Sequence, residues 1–367
     1  MDTPTALLDV TRMQRNIQRM QERASTLGVQ LRPHVKTHKC AEVVAAQIAA
    51  GATGITVSTL KEAEYFFAQG IRDILYAVAM APHKLPQALA LRREGCALTL
   101  ITDSLAGAQA IVDFGRLHAE TFAVMIEIDC DGHRSGVKPQ DPRLLEIARL
   151  LGTSLAGVLT HAGESYGLDT PQALQAIAEL ERARCVAAAE RIRAAGMPCA
   201  QVSVGSTPTA LSAVSLEGVT ELRAGVYAFF DLVMHNIGVC HLDELALSVL
   251  TTVIGHQPEK GWIITDAGWM AMSRDRGTQA QKRDFGYGQV CTETGEPIDG
   301  LLLSSANQEH GVAQFQGKKV DVVAQFPLGT RLRILPNHAC ATGTQFDSYS
   351  AVLENGDVQV WERLRGW

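Results

Sequence analysis

The 367-residue chain contains no stretch of 18 or more apolar residues, which argues against a membrane-spanning helix. Its start, Met1-Asp2-Thr3-Pro4, has no basic segment leading into an apolar one, so a secretory signal is not expected. There is no excess of positive charge either. The net charge is -6 with lysines and arginines dispersed along the chain, which makes nucleic acid and anionic membranes poor partners. None of the eight cysteines forms a CxxC pair and their spacing is irregular. A chain this long does not need disulfide staples, so most are read as reduced, buried thiols of a cytoplasmic protein. Internal repeats and low-complexity tracts are also lacking.

What the chain does have is apolar content, 46% of its residues, enough to bury a large core. Between about residue 30 and 225 short β-rich runs alternate with longer helical ones. The β-rich runs are Leu31 to Val35, Gly54 to Val57, Asp73 to Val78, Ala97 to Thr102, Phe122 to Ile128, Leu155 to His161, Ala200 to Val204 and Val219 to Arg223. Helix signals fill the spacers. Thr59-Leu60-Lys61-Glu62 is a capping box. Thr170-Pro171 places an N-cap before a proline at the first helical position, and Gly196 fits the far end. Eight such runs predict an α/β fold with a parallel sheet closed into a (β/α)8 barrel. An open, doubly wound sheet is the alternative.

The texture changes after about residue 240. Leu245 to Ile254 reads as a long strand, Pro258 to Gly261 as a turn and Trp262 to Ile264 as a second strand. Glu354-Asn355-Gly356-Asp357 sits between two short alternating runs and is a strong hairpin signal. Two domains follow: a barrel over 1–240, whose first few residues could join the other unit, and a mostly β domain over 241–367.

Catalytic groups of such barrels sit at the C-terminal ends of the strands. Lys36-Thr37-His38 follows the first run, Asp131 to Gly136 the fifth, His161 and Glu164-Ser165-Tyr166 the sixth, Gly205 to Thr209 the seventh and Ala224 to Tyr227 the eighth. Gly205-Ser206-Thr207 fits an anion site at a helix start, although ordinary helix capping produces the same tripeptide. Lys36 at a strand end could simply be solvated. Opposite a phosphate site, desolvation and nearby charge can instead make it a Schiff-base nucleophile, and the two features together are what pyridoxal phosphate needs. In His338-Ala339-Cys340, an extended backbone would turn the imidazole and thiol to one face, a pair that suits zinc or another borderline metal. A capped loop with a buried thiol is the alternative there.

Taken together, Arg32-Pro33-His34-Val35-Lys36-Thr37, Gly132-His133-Arg134-Ser135-Gly136, Gly205-Ser206-Thr207-Pro208-Thr209, Asp266-Ala267-Gly268, Asn307-Gln308-Glu309-His310-Gly311 and Pro336-Asn337-His338-Ala339-Cys340 resemble the alanine-racemase-like, fold type III pyridoxal-phosphate enzymes. The similarity covers essentially the whole chain. It is closest to the branch with D-threonine aldolase, D-serine dehydratase and D-threo-3-hydroxyaspartate dehydratase, and the segments Arg223 to Asp231 and Asp275-Arg276-Gly277 look most like the last of these. The resemblance implies Lys36 as the Schiff-base lysine and Arg134 near the cofactor's phenolic oxygen. It places His161 among the cofactor-binding residues and Tyr166 near the pyridine nitrogen. Phosphate would be held around Ser206, Thr207, Gly225 and Tyr227. His338 and Cys340 would bind a divalent metal (Zn, Mn or Co), and the assembly would be a homodimer in which the β domain of one subunit helps close the other's barrel.

The implied activity is a metal-assisted lyase that removes water from a D-amino acid with a β-hydroxyl, turning D-threo-3-hydroxyaspartate into oxaloacetate and ammonia. One departure from the dehydratase pattern is His38, an extra imidazole beside Lys36. It keeps open the alternative of an aldolase cleaving D-threonine or D-3-hydroxyaspartate to glycine and an aldehyde. A non-catalytic pyridoxal-phosphate carrier is a further alternative, against which the large β region and the His338/Cys340 pair speak.

Overall fold

The computed structural model describes all 367 residues. By contact the chain divides into two units, residues 18–225 with 366–367, and residues 1–17 with 226–365. The chain thus changes unit at Gly225/Val226, where about 240 was expected. Its first residues belong with the C-terminal region because the opening strand β1 (Thr5–Asp9) pairs with strands of that unit, as described below.

All eight β-rich runs of the larger unit become strands: β2 (Gln30–Leu31), β3 (Ile55–Val57), β4 (Asp73–Ala79), β5 (Ala97–Thr102), β6 (Ala123–Ile128), β7 (Leu155–Thr160), β8 (Gln201–Val204) and β9 (Glu221–Leu222). They pair parallel in the order β2-β9-β8-β7-β6-β5-β4-β3. A parallel bridge between His34 and Thr56 joins the two ends, with Thr56 N–H donating to Pro33 O at 2.8 Å and Val35 N–H to Thr56 O at 2.9 Å. The ring is therefore closed, and the open-sheet alternative is excluded. The regular part of the first run is shorter than expected. The Arg32 and His34 N–H groups still donate to Leu222 O and Ala224 O at 2.9 Å each, while Pro33, with no N–H, offers no donor on the side toward β3, where pairing is a single bridge. Leu75, Ile101, Met125 and Leu159 supply one core side chain from each of four neighbouring strands.

The helix signals hold. Thr59 Oγ1 accepts the Glu62 N–H at 3.0 Å, and the Glu62 carboxylate reaches back to the Ser58 N–H at 3.1 Å. Thr170 caps a helix that starts at Pro171 and runs to Ala194, with Gly196 in the left-handed region just beyond it. That helix is one of the elements that position the candidate site.

The other unit contains β10 (Leu247–Gln257), β11 (Trp262–Thr265), β12 (Gly288–Thr292), β13 (Pro297–Ala306), β14 (Gly311–Phe315), β15 (Arg331–Pro336), β16 (Ser348–Val352) and β17 (Val358–Glu362). Six of them close a barrel in the order β11-β14-β13-β12-β15-β10, antiparallel throughout. Strands β1, β16 and β17 continue the sheet from β10, with β1 parallel to β16. Val249, Ile263, Val290, Leu301 and Ile334 lie in its buried core. The Asn355-Gly356 turn joins β16 to β17 as expected, with Gly356 at positive φ.

A buried ion network stands beside the seam of the parallel barrel. Arg32 donates from Nε to Glu221 Oε2 at 2.6 Å, and from Nη1 and Nη2 to the Asp73 carboxylate at 2.8 Å each. It thus ties the segment after β2 to β9 and β4. The Arg32 and Glu221 side chains are 8% and 7% exposed. Removing one partner leaves a buried charge undercompensated, which costs about 3 kcal/mol or more. Glu221→Ala should lower the urea midpoint accordingly, whereas truncation of the exposed Arg116–Asp113 pair should leave it within about 0.5 kcal/mol.

Candidate active site

Past the His34 bridge the chain enters a turn over residues 35–38. Lys36 therefore sits on a turn after the strand rather than at a strand end, and it is exposed. Its neighbour Lys39 is committed elsewhere. Lys39 takes a left-handed φ of 48° and its Nζ pairs with buried Glu62 Oε1 at 2.9 Å. Of the two lysines, Lys36 is the one presented outward. His38 is fully buried, with its Nδ1 accepting the Cys40 N–H at 3.3 Å, so its ring supports the turn. Two imidazoles around Lys36, those of His34 and His161, are kept neutral. Burial, then the positive charges of Lys36 and Arg223, hold the His34 pKa well below the ordinary histidine range.

His161 follows β7 by one residue. Its Nδ1–H donates to Gly205 O at 2.8 Å, so the neutral ring presents a lone pair at Nε2. Burial lowers its pKa to about 4. The bond to Gly205 opposes that shift, and Lys36, Arg223 and Arg134 add to it. Arg223, which sequence reasoning gave no role, is buried, with Nη1 donating to Ser203 Oγ at 2.6 Å and Nη2 to Thr160 O at 2.7 Å. Its only advance signal was an arginine closing the eighth β-rich run, Val219 to Arg223.

The Gly205-Ser206-Thr207 turn is built as expected at a helix start, but Ser206 is spent on the cap. Its Oγ accepts the Thr209 N–H at 3.3 Å and lies 2.9 Å from Ser165 Oγ, while its own N–H donates to Thr209 Oγ1 at 3.1 Å. Ser206 and Thr207 are both buried. Gly205 has φ +145°, and a Cβ at Gly225 would stand 2.7 Å from His34 O, so both positions admit only glycine's close approach. Tyr227 falls in the other unit and is fully buried.

The loop after β6 carries Arg134, which is exposed, with Nη2 3.6 Å from Glu127 Oε1. Next to it His133 Nδ1 lies 3.0 Å from Glu164 Oε1. Tyr166 is partly buried with its ring centroid 6.0 Å from that of His161. Lys36, His34, His161, Arg223 and Arg134 thus interact electrostatically at one end of the strands. A presented amine, neutral imidazoles, a buried guanidinium and a glycine-lined turn at a helix start form a donor set that fits pyridoxal phosphate.

In the other unit the His338-Ala339-Cys340 segment is not extended throughout. β15 ends at Pro336, His338 is the extended N-cap residue, and a short helix begins at Ala339. Buried Asp231 forces this turn by accepting the Ala339 N–H at 2.9 Å. The imidazole and thiol still meet, because an N-cap side chain overhangs the first helical turn. His338 hydrogen-bonds with Cys340, and its Nδ1 lies 2.6 Å from Asp275 Oδ2. Burial alone would lower the His338 pKa, but Cys340, Asp275 and Asp231 together raise it to about 11. No group of three or more His, Cys, Asp or Glu side chains is arranged to hold a metal. An imidazole and a thiol with a carboxylate behind the ring fit a borderline metal that takes its remaining ligands from outside the protein. Asp231 and Asp275 were not assigned from sequence.

A closed parallel barrel presenting a lysine on the turn that follows its first strand, with an antiparallel β-barrel unit, defines the alanine-racemase-like class. Residues 8–233 match the family model for the alanine racemase N-terminal domain, and residues 246–352 match that for a putative serine dehydratase domain. The chain is 67% identical to a D-threo-3-hydroxyaspartate dehydratase of Delftia sp. (strain HT23), over all of this chain and 98% of that one. It is 30% identical to a D-threonine aldolase of Arthrobacter sp., over 98% of this chain and 92% of that one. A solved structure of a D-threo-3-hydroxyaspartate dehydratase, a cysteine-to-alanine mutant in the metal-free form, superposes with a TM-score of 0.99 at 66% identity, covering 100% of this chain and 98% of that one. The chain belongs to the fold type III family, in the branch of D-serine dehydratases and D-threonine aldolases.

The neutral His161 has a consequence for stability. Its pKa is about 4 in the folded protein against roughly 6.5 when unfolded, so between those values the unfolded chain binds more protons. Stability therefore rises with pH across this window and is lost as pH falls through it. Urea titrations of the cofactor-free protein from pH 7 to 4 should show this loss. His161→Gln should flatten the slope by up to about one proton, while His34, shifted in the same direction, keeps a remainder. An unchanged slope would place the titrating group elsewhere.

Proposed function

We propose that this protein is a pyridoxal-phosphate- and metal-dependent lyase that converts D-threo-3-hydroxyaspartate to oxaloacetate and ammonia. The observation that carries this is the 67% identity, over the whole chain, to the Delftia dehydratase. Lys36 would hold the cofactor covalently through Nζ. The Ser206-Thr207 turn, Gly225 and Tyr227 would hold its phosphate, and Arg134, His161 and Tyr166 would flank the ring. Since the Ser206 hydroxyl caps a helix, the part of Ser206 is to shape the turn rather than offer that hydroxyl. When bound, the cofactor supplies an electron sink for the charge left at Cα. His338 and Cys340 would hold the divalent metal (Zn, Mn or Co), which supplies Lewis acidity toward a β-hydroxyl. The metal-free form of the cysteine-to-alanine mutant in the relative supports such a role for Cys340.

Lys36 does the proton chemistry. Released by the incoming amine, its Nζ takes the proton from Cα and, fixed on one turn, reaches it from one face only. That restricts the reaction to one configuration at Cα, D in this family. His161 adds no positive charge beside Lys36, because burial keeps its ring neutral. After the β-hydroxyl departs as water, Lys36 Nζ would displace the product's nitrogen and resume its place, and the freed enamine would hydrolyse in solution to the 2-oxo acid and ammonia. A homodimer belongs to the same proposal. Retro-aldol cleavage is the second reading, and the 30% identical D-threonine aldolase favours it. Burial of His38 beneath the turn removes the extra imidazole that had spoken for it.

Four measurements test the proposal. Incubation with D-threo-3-hydroxyaspartate should yield oxaloacetate and ammonia in equal amounts, and glycine with glyoxylate would install the aldolase instead. The L enantiomer should not react, and Lys36→Ala should abolish turnover. A chelator should remove activity, with Mn²⁺, Co²⁺ or Zn²⁺ restoring it. If the metal supplies about 3 kcal/mol, its loss slows the reaction about 100-fold, and full activity after exhaustive chelation would refute its role.

A further inference from the structure

Glu181 is a carboxylate with no place in the chemistry above. It lies on the long helix Pro171–Ala194 and is 2% exposed. Leaving such a group inside a barrel wall is costly unless its oxygens are used. Its Oε1 accepts two backbone N–H groups, from Ala162 at 2.8 Å and from Gly205 at 3.2 Å. Thr209 adds a side-chain hydrogen bond. Ala162 follows His161, and Gly205 is the residue whose carbonyl accepts the His161 Nδ1–H at 2.8 Å. The bonds form a closed ring running from Glu181 to Ala162, through His161 to Gly205, and back to Glu181.

We infer that Glu181 is a positioning residue: one buried oxygen clamps the loops after β7 and β8 together, fixing the orientation and Nδ1–H tautomer of His161 and the place of the Gly205-Ser206-Thr207 turn. The inference rests on that turn being the cofactor's phosphate site, but the tautomer it predicts is independent of cofactor and reaction. What the clamp requires is an acceptor at a fixed reach, not a negative charge. Burial pushes the Glu181 pKa up, and a protonated acid would still offer Oε1 to both N–H groups.

Reach and charge can be separated by two substitutions. Glu181→Gln keeps the length and a carbonyl acceptor but removes the charge. Glu181→Asp keeps the charge but is one methylene short of spanning both N–H groups. Two readouts apply, the ¹⁵N shifts of the histidine rings in cofactor-free protein and the affinity of that protein for pyridoxal phosphate. The Gln variant should show the wild-type Nδ1–H signature for His161 and bind pyridoxal phosphate within about threefold of wild type. The Asp variant should lose the single tautomer and bind at least tenfold more weakly. Should Asp not fold, Glu181→Met, of similar length and without an acceptor, takes its place with the same expectation. Loss of the tautomer in Gln, or its retention in the variants lacking the reach or the acceptor, overturns the clamp. A tautomer that follows this pattern with unchanged cofactor affinity would keep the clamp on His161 but remove the turn as the phosphate site.

Discussion

Closure of the parallel barrel between the segment after β2 and β3 is the constraint on which the candidate site depends. The strands on either side are short, and Pro33 interrupts their pairing, so one bridge at His34 and Thr56 carries the seam. Arg32, buried between Glu221 and Asp73, holds the adjoining backbone to β9 and β4. Because the chain leaves this seam directly into the turn, Lys36 emerges beside His34, and its charge, like that of Arg223, acts on both His34 and His161. An unbroken strand there would carry the amine further along.

The same region shows how a cationic environment is assembled without protonated imidazoles. Arg223 is buried with neutral oxygens as hydrogen-bond acceptors, and its field, with that of Lys36, adds to desolvation in keeping His34 and His161 uncharged. Fixed positive charge near an amine suits the capture of anionic groups such as phosphate and carboxylates. Neutral imidazoles with an assigned donor nitrogen supply directional hydrogen bonds there. In the other unit the logic reverses. Carboxylates and a thiol surround one imidazole and favour its charged form, an anionic setting that a metal ion would also satisfy.

Much of this was legible in the amino-acid order. Turn and cap residues carry their geometry locally, so the Thr59 and Thr170 caps, the Asn355-Gly356 hairpin and eight alternating β-rich runs could be read directly, and the number eight implied closure. Lys36, His161 and the Gly205 turn were singled out as candidates because barrel function collects at one end of the strands. Strands β12 to β15 were not read individually; register shifts in the β12–β13 and β13–β14 pairs blur the two-residue period there. The first residues join the C-terminal unit, as had been allowed for, because β1 pairs with residues more than 200 positions away, whereas the change of unit at Gly225/Val226 rather than near 240 left no local trace.

The sequence by itself determined which chemical groups were available: two lysines after a short β-rich run, a glycine-serine-threonine turn, and an imidazole and thiol two residues apart. Tertiary structure decided what each could be used for. It tied Lys39 to Glu62 and left Lys36 presented, spent the Ser206 hydroxyl on a helix cap, and put His38 inside the turn. It also brought Glu181, Arg223, Asp231 and Asp275 to their partners across long stretches of chain. The reason is physical. A side chain's type is local, but its burial, protonation and hydrogen-bond partners depend on residues distant in sequence that only the folded chain brings within a few ångströms.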